Sequence, residues 1–164
     1  MQPKNSRTTP PPKLTELESR AWRGLLRAHR HLMVEMAAHL EADHQLDLSE
    51  YEVLLHLNEH PDKRIAMTEL ADLVLLTPSG VTRLVDRLVK RGLVERMPCP
   101  QDARRQHAVL THAGRAMFVR AGRVHLAGIR ALYLSKLTAD EQEMLADVWD
   151  KVLGPYPWPI AMSP

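Results

Sequence analysis

The sequence predicts a mainly α-helical protein that carries one small β-hairpin. Its apolar residues are mostly Leu, Val, Ala and Met, a set that favours helices, and aromatic residues make up only 4% of the chain. Apolar residues also recur at spacings of three and four over long segments, which is the period of an amphipathic helix. Two short segments, residues 93–97 and 107–111, are the candidate strands of the hairpin.

The composition also bounds the class of protein and its expected location. The chain of 164 residues contains one cysteine, which excludes an internal disulfide framework and fits a reducing cytoplasm. The N-terminus has no apolar core of a secretory signal, and no apolar run approaches the roughly 20 residues of a membrane span. We therefore expect a soluble cytoplasmic protein without a membrane partner.

The first helix is expected over about residues 14–45. A polar, proline-rich segment, residues 1–13, precedes it and predicts a disordered N-terminal tail. Two apolar stripes run along the helix and give it a face too broad for one small domain to cover. The stripes consist of Leu14, Leu17, Ala21, Leu25, Ala28, Leu32, Met36 and Leu40, and of Trp22, Leu26, Met33 and Ala37. A partner surface, such as a second copy of the chain, would satisfy this face.

Two shorter helices and a brief strand follow. Ser49 and Glu52 have the spacing of a capping box, which predicts a helix from Glu50 to His60 that stops at Pro61. Residues 64–66 are a possible short strand. Thr68 is then expected to cap a compact helix that carries Leu70, Ala71, Leu73 and Val74.

The next helix begins at a clear start pattern and has two distinct faces. Thr77 is the expected N-cap, Pro78 takes the first helical position, and Gly92 is the expected left-handed residue after the C-terminus. One face is apolar and carries Val81, Leu84, Val85 and Leu88. The opposite face is polar and carries Ser79, Thr82, Arg83, Asp86, Arg87 and Lys90.

The rest of the chain predicts the hairpin and two more helices. The stretch MPCPQDARRQH, residues 97–107, is rich in proline and polar residues and predicts the hairpin loop. Thr111 is expected to cap a long helix, and Thr138 with Glu141 forms a second capping box before a last helix. The chain would end in an irregular C-terminal tail, residues 154–164.

Charge is distributed unevenly along the chain, and the basic segment coincides with a helix-turn-helix and its wing. Residues 79–105 carry seven basic against three acidic side chains, whereas residues 138–164 carry one basic against five acidic side chains. A compact helix, a tight turn at residues 75–77 and an amphipathic basic helix make a helix-turn-helix, and the hairpin behind it is a wing. A winged helix-turn-helix with a basic middle segment predicts double-stranded DNA as partner.

The residues of this unit resemble the MarR family of winged-helix transcription regulators. The similarity is carried by TELA at residues 68–71, PSGVTRLVDRL at residues 78–88, GLVER at residues 92–96, the wing DAR at residues 102–104 and LTHAGR at residues 110–115. It extends over about residues 14–153. The fold class is then mainly α with a small β-hairpin wing, namely a winged helix-turn-helix flanked by a helical dimerisation lobe.

The resemblance implies a homodimeric regulator. The dimerisation lobe would comprise residues 14–45 and 112–153, and the DNA-binding lobe residues 49–111. Two winged helices would read a pseudo-palindromic operator and repress a nearby gene until a small molecule binds. No catalytic residue or cofactor is implied.

Individual residues receive roles partly from chemistry and partly from the resemblance. Ser79 lies where a helix N-terminus meets phosphate, and Thr82 and Arg83 lie one turn later, where side chains reach base edges. Arg87 is placed for phosphate contact or for structural pairing. By resemblance, Arg104 enters the minor groove and Asp102 shapes the wing. The predicted DNA-contacting set is Thr68, Ser79, Thr82, Arg83, Arg87, Arg104 and Arg105, although Arg105 stands where the family often has Gly or Ser.

An effector site is a further expectation. The crevice between the lobes, where the family binds anionic or phenolic molecules, would be lined by Trp22, Arg23, Arg27 and His56. The alternative is that Trp22 is part of the dimer core and that both arginines are solvated.

The sequence leaves other functions open. His56, Glu59 and His60 match the H-x-x-E-H pattern of a zinc peptidase, but the helix ends at once and no third ligand is evident. A zinc-responsive regulator could use ligands among Cys99, His107, His112, His29 and His31. Cys99 could instead be a redox switch or an inert turn residue. A scaffold protein that has lost DNA binding is the remaining alternative.

Overall fold

A computed structural model of the chain describes residues 13–99 and 102–154, except for the side chains of residues 103 and 104. The expected tails, residues 1–13 and 154–164, lie almost entirely outside the described residues. Six α-helices, a short 3-10 helix and three strands make up the described part. In chain order they are α1 (Glu16–His44), α2 (Leu48–Glu59), β1 (Arg64–Ala66), α3 (Met67–Leu73), α4 (Pro78–Lys90), β2 (Val94–Cys99), β3 (Asp102–Leu110), α5 (His112–Leu132), the 3-10 helix (Leu134–Lys136) and α6 (Ala139–Leu153).

Three of the six α-helices begin at the cap residues that the sequence predicts. The Thr77 hydroxyl accepts the Gly80 backbone N–H at 3.1 Å, and Pro78 takes the first position of α4. Thr111 caps α5, and Thr138 with Glu141 forms the predicted capping box of α6. Gly92 has a φ of 69°, which confirms the left-handed residue predicted after α4.

Two predicted helix starts are wrong. The capping box of α2 is formed by Asp47 and Glu50, not by Ser49 and Glu52, and the Asp47 carboxylate accepts the Glu50 N–H at 2.7 Å. Ser49 lies inside the first turn. Thr68 is not a cap, because β1 leads directly into α3 and places Thr68 at the second position of the helix, after an Ala66 cap that makes no side-chain hydrogen bond.

The β-structure is more extensive than the predicted two-stranded hairpin. β1 pairs with β3, so the sheet has three antiparallel strands in the order β1-β3-β2. The predicted loop at residues 98–106 is largely strand, since Pro98 pairs with Gln106 and Cys99 with Asp102 across an irregularity. Pro98 is tolerated because β2 is an edge strand, which has no neighbour on one side to need the missing N–H.

The core joins the sheet to the helices of the winged unit. Leu54, Leu57, Leu70, Leu88 and Ala108 are fully buried there. Tyr51 of α2 is only 1% exposed and stacks against Phe118 of α5, with the ring centroids 5.6 Å apart. α2, α3, α4 and the sheet therefore share one apolar interior.

The first and last helices are covered far less. α1 buries only Met36 and Leu40, both in its C-terminal half, and α6 buries no residue. Among the helices described, none is long and apolar enough to cross a membrane.

Candidate nucleic-acid interface

The helix-turn-helix is formed by α3, the turn at residues 74–77 and α4. Leu75 takes a left-handed backbone conformation with a φ of 52°, and the Leu76 N–H donates to the Ala71 carbonyl at 3.0 Å. The turn therefore folds back on α3 and directs the chain into the capped start of α4.

The helix α4 presents the two faces that its sequence predicts. Its apolar face is buried and comprises Val81, Leu84, Val85 and Leu88. Its polar face is exposed and comprises Ser79, Thr82, Arg83, Asp86, Arg87 and Lys90. Burial of one face fixes the helix on the domain and leaves the other face available to a partner.

The first two turns of α4 hold the predicted base-reading side chains. The Ser79 hydroxyl lies 3.2 Å from that of Thr77, and the Thr82 hydroxyl donates to the Pro78 carbonyl at 2.8 Å. Arg83 is exposed and makes no ion pair within the described part of the chain. Its guanidinium is thus available for a bidentate contact such as the one arginine makes with guanine.

The C-terminal half of α4 is held by a buried carboxylate. Glu50 is 4% exposed, and its carboxylate accepts from Arg87 Nε at 3.0 Å and from Arg91 Nη1 at 3.0 Å. Arg87 also pairs with Asp47 at 2.5 Å. The hydrogen bond to Glu50 raises the pKa of Arg87, with the nearby charge of Asp47 adding to the effect.

Arg91 extends this cluster to the end of α1. Its guanidinium donates to the Gln45 carbonyl at 2.8 Å and to the His44 carbonyl at 3.2 Å. The helix α4 is therefore tied to the corner between α1 and α2. For Arg87 the contacts favour structural pairing, the second of the two roles the sequence left open.

The base of the wing is tied to α4 by Arg96 of β2. Arg96 pairs with Asp86 at 2.9 Å and donates to the Thr82 carbonyl at 3.1 Å. Asp86 and Thr82 lie on the polar face of α4, so this contact fixes the position of the wing relative to that face. Sequence reasoning missed Glu50, Arg91 and Arg96 as positioning residues, because their partners lie far away along the chain.

The predicted wing residues lie near the tip of the hairpin. Asp102 and Arg105 are exposed on β3, and Asp102 is the strand partner of Cys99. The side chain of Arg104 lies outside the described residues, so its predicted minor-groove contact stays a prediction. Thr68 is exposed at the start of α3.

The predicted effector residues are not gathered within a single chain. A surface depression on α1 is lined by Arg23 and Arg27, but neither by Trp22 nor by His56. Trp22 is 55% exposed, whereas His56 is half-buried on α2, where burial lowers its pKa.

A cluster of aromatic and histidine side chains lies between α2 and α5 and was not predicted from the sequence. The His125 ring of α5 packs against Tyr51 with centroids 4.6 Å apart, and its Nδ1 is buried without a hydrogen-bond partner. Burial lowers the pKa of His125 and raises that of Tyr51 to about 12. Both groups are therefore neutral near pH 7. Only the packing of α5 on α2 reveals the cluster, because Tyr51 and His125 lie far apart along the chain.

The metal and redox alternatives gain no support from the geometry. Within the described ranges, no three His, Cys, Asp or Glu side chains come together as metal ligands. His60 caps the end of α2 instead of continuing the helix, which leaves the H-x-x-E-H pattern without its second helical histidine. Cys99 is buried, whereas a reactive thiol requires exposure.

Comparison with known proteins places this architecture among transcriptional regulators. A family model described as MarR family matches residues 44–105. The crystal structure of Sco3205, a MarR family transcriptional regulator from Streptomyces coelicolor, in complex with DNA is 33% identical to this chain. Its TM-score is 0.80, and the match covers 86% of this chain and 92% of Sco3205.

Two further relatives are also transcriptional regulators. AbsC, a MarR family transcriptional regulator from Streptomyces coelicolor, is 27% identical with a TM-score of 0.80, over 87% of this chain and 95% of AbsC. A helix-turn-helix transcriptional regulator of Bacillus cereus is 31% identical over 107 residues, which are 65% of this chain and 69% of the relative. The fold is that of the winged-helix regulators, as the resemblance predicts.

Proposed function

This chain belongs to the MarR family of transcriptional regulators, and we propose that it acts as a homodimeric, sequence-specific DNA-binding repressor that a small ligand releases. The observation that carries the proposal is the exposed polar face of α4. That face holds Ser79, Thr82 and Arg83 on a helix whose opposite face is buried. A helix anchored in this way can enter the major groove with its N-terminal side chains toward the bases.

The proposed roles divide between base reading and phosphate contact. Arg83 reads a base edge, with Thr82 beside it, and Ser79 contacts phosphate at the helix N-terminus. Arg104 and Arg105 bring the wing to the minor groove or to the backbone, while Asp102 holds the shape of the wing. Thr68 is a backbone contact from α3. Arg87 acts mainly through Glu50, as a positioning residue.

The homodimer is supported by the apolar surface that one chain leaves uncovered. Leu14 just before α1, Leu17 and Trp22 of α1, and Met144 and Val152 of α6 are all more than half exposed. Patches of this kind mark interaction surfaces. Two copies would place two recognition helices on one face of DNA and match a pseudo-palindromic operator.

The proposed ligand site lies between the lobes and is completed by the second copy. Arg23 and Arg27 would supply cationic donors, and Trp22 and His56 would supply aromatic surface for an anionic or phenolic molecule. A ligand that binds better when the lobes are spread would shift the dimer away from its DNA-binding form.

The experiment that tests the proposal selects DNA from a random pool with the full chain and sequences the bound fraction. We expect enrichment of an inverted repeat, and binding that weakens steeply with salt because lysine and arginine displace counterions. Arg83→Ala should cost roughly 1–3 kcal/mol of discrimination and relax preference at one position of each half-site.

Lys90→Ala is the matched control, since it removes a cation from the same face two turns later. It should weaken binding to all sequences alike. An unchanged motif in Arg83→Ala would show that α4 is not the reading helix, and a native chain that enriches no DNA would favour the scaffold alternative.

A further inference from the structure

A stripe of arginines runs along the N-terminal half of α1. The four residues are spaced by three, four and three positions, so they lie on one face of the helix. We call them the arginine stripe: Arg20, Arg23, Arg27 and Arg30. All four side chains are exposed.

A stripe of carboxylates with the same spacing runs along α6. We call it the carboxylate stripe: Asp140, Glu143, Asp147 and Asp150. All four are exposed, and the apolar Met144 and Val148 lie on the adjacent face of the same helix. Each stripe extends over eleven residues, whose ten helical steps correspond to about 15 Å. The two stripes therefore match in length, in spacing and in opposite charge.

Neither stripe has an ion-pair partner among the described residues of one chain. The ion pairs found among the described residues involve neither stripe: they join Arg64 to Asp62, Arg87 to Asp47 and Glu50, Arg91 to Glu50, and Arg96 to Asp86. Every described residue of α1 up to position 31 is exposed except Ser19, which is half-buried. Four like charges in a row repel one another, so each stripe favours a partner of opposite sign.

We infer that the arginine stripe of one protomer packs against the carboxylate stripe of the partner protomer, and this rests on the homodimer proposed above. A two-fold axis makes the contact twice, because each chain contributes both stripes. The uncovered apolar residues, which on α1 lie on the face roughly opposite the arginine stripe, supply the affinity through separate contacts. The paired stripes set the register of the helices and select a second copy of the same chain, since charge complementarity acts chiefly on specificity.

DNA is the other polyanion that an arginine stripe could meet. The carboxylate stripe argues against it, because that stripe needs a cationic surface which the described part of one chain does not offer. A second copy satisfies both stripes in one contact, and the anionic ligand proposed above would take Arg23 and Arg27 from that contact.

The test uses two full-length variants with reversed charge, Arg23→Glu/Arg27→Glu and Glu143→Arg/Asp147→Arg. Each variant alone would set like charges against each other at both contacts, whereas a mixed dimer would restore opposite charges at both. We expect each variant to self-associate about tenfold more weakly than the native chain at low ionic strength. Mixing the two, with different tags, should give heterodimers well above the statistical half, measured by native mass spectrometry.

The chain that carries all four reversals should dimerise like the native chain. Glu69→Arg/Asp72→Arg, a reversal of exposed acids on α3, is the control and should leave dimerisation unchanged. A native dimer whose variants mix statistically would overturn the stripe contact but leave the homodimer. A native chain that is monomeric at micromolar concentration would overturn both.

Discussion

Glu50 is a buried carboxylate that anchors the C-terminal half of α4. Its carboxylate accepts from the side chains of Arg87 and Arg91 and lies 3.3 Å from the Asp47 backbone N–H. Burying a carboxylate is costly unless such donors satisfy it. Here one buried charge caps α2, holds α4 and, through Arg91, reaches the end of α1.

Glu50→Gln tests this role. The amide keeps the size of the side chain but removes the charge and turns one acceptor into donors that face two guanidinium groups. We expect unfolding stability to fall by roughly 1–3 kcal/mol, measured from the urea midpoint. DNA affinity should fall as well, because α4 loses its anchor, while the preferred DNA sequence stays the same.

Glu41→Gln is the matched control for that substitution. Glu41 lines the same surface depression as Glu50, Arg87 and Arg91, but it is exposed and makes no ion pair within the described residues. Its loss should change stability by less than about 0.5 kcal/mol. Equal effects of the two substitutions would mean that the Glu50 cluster does not anchor α4.

At the scale of elements, the wing and α5 meet at one tight backbone contact. The Thr111 hydroxyl caps α5 and also donates toward the Gly92 and Leu93 carbonyls, at 2.8 and 3.0 Å. Gly114 lies against this point, and a Cβ there would overlap the Leu93 carbonyl oxygen and approach the Leu110 side chain at 2.8 Å. Only glycine allows α5 to start so close to the entry of β2.

Gly114→Ala should therefore destabilise the chain. The obstacle is backbone, which cannot rotate away, so we expect a loss of roughly 1–3 kcal/mol in thermal or urea unfolding. Gly122→Ala, on the same helix, would meet only the Tyr51 hydroxyl at 3.5 Å, an ordinary contact. That control should keep or raise stability, because alanine favours helix over glycine by about 1 kcal/mol. A stable Gly114→Ala would contradict the close contact.

At the scale of the whole molecule, the winged unit is covered by its own core and the terminal helices are not. Leu17 is 73% exposed, an unusual state for a large apolar residue amid a continuous apolar stripe. In a monomer its removal would cost almost nothing. In the proposed dimer it would uncover part of the interface.

Leu17→Ser should weaken dimerisation measurably, and operator binding with it, because one winged helix holds only one half-site. Sedimentation equilibrium would show the shift toward monomer. Leu75→Ser is the control, since Leu75 is 91% exposed in the turn of the helix-turn-helix and lies outside α1, α5 and α6. If Leu17→Ser and the native chain dimerise equally well, the apolar stripe of α1 is not part of the interface.

Local chemistry made much of the fold predictable. The caps Thr77, Thr111 and Thr138 act within three residues of themselves, and the two faces of α4 follow from helical periodicity alone. The misplaced cap of α2 has the same origin. Asp47 with Glu50 and Ser49 with Glu52 are both valid capping boxes by spacing, and sequence does not rank them.

By itself, then, the sequence determined the order of the elements, the faces of α4 and the resemblance that its motifs carry, because each depends on residues within a few turns of one another. Tertiary structure decided what needs distant partners. Glu50 meets Arg87 across 37 residues, Arg91 meets the Gln45 carbonyl across 46, and β1 joins β3. Folding alone brings such groups within hydrogen-bonding distance, since local periodicity and spacing do not encode which distant residues meet.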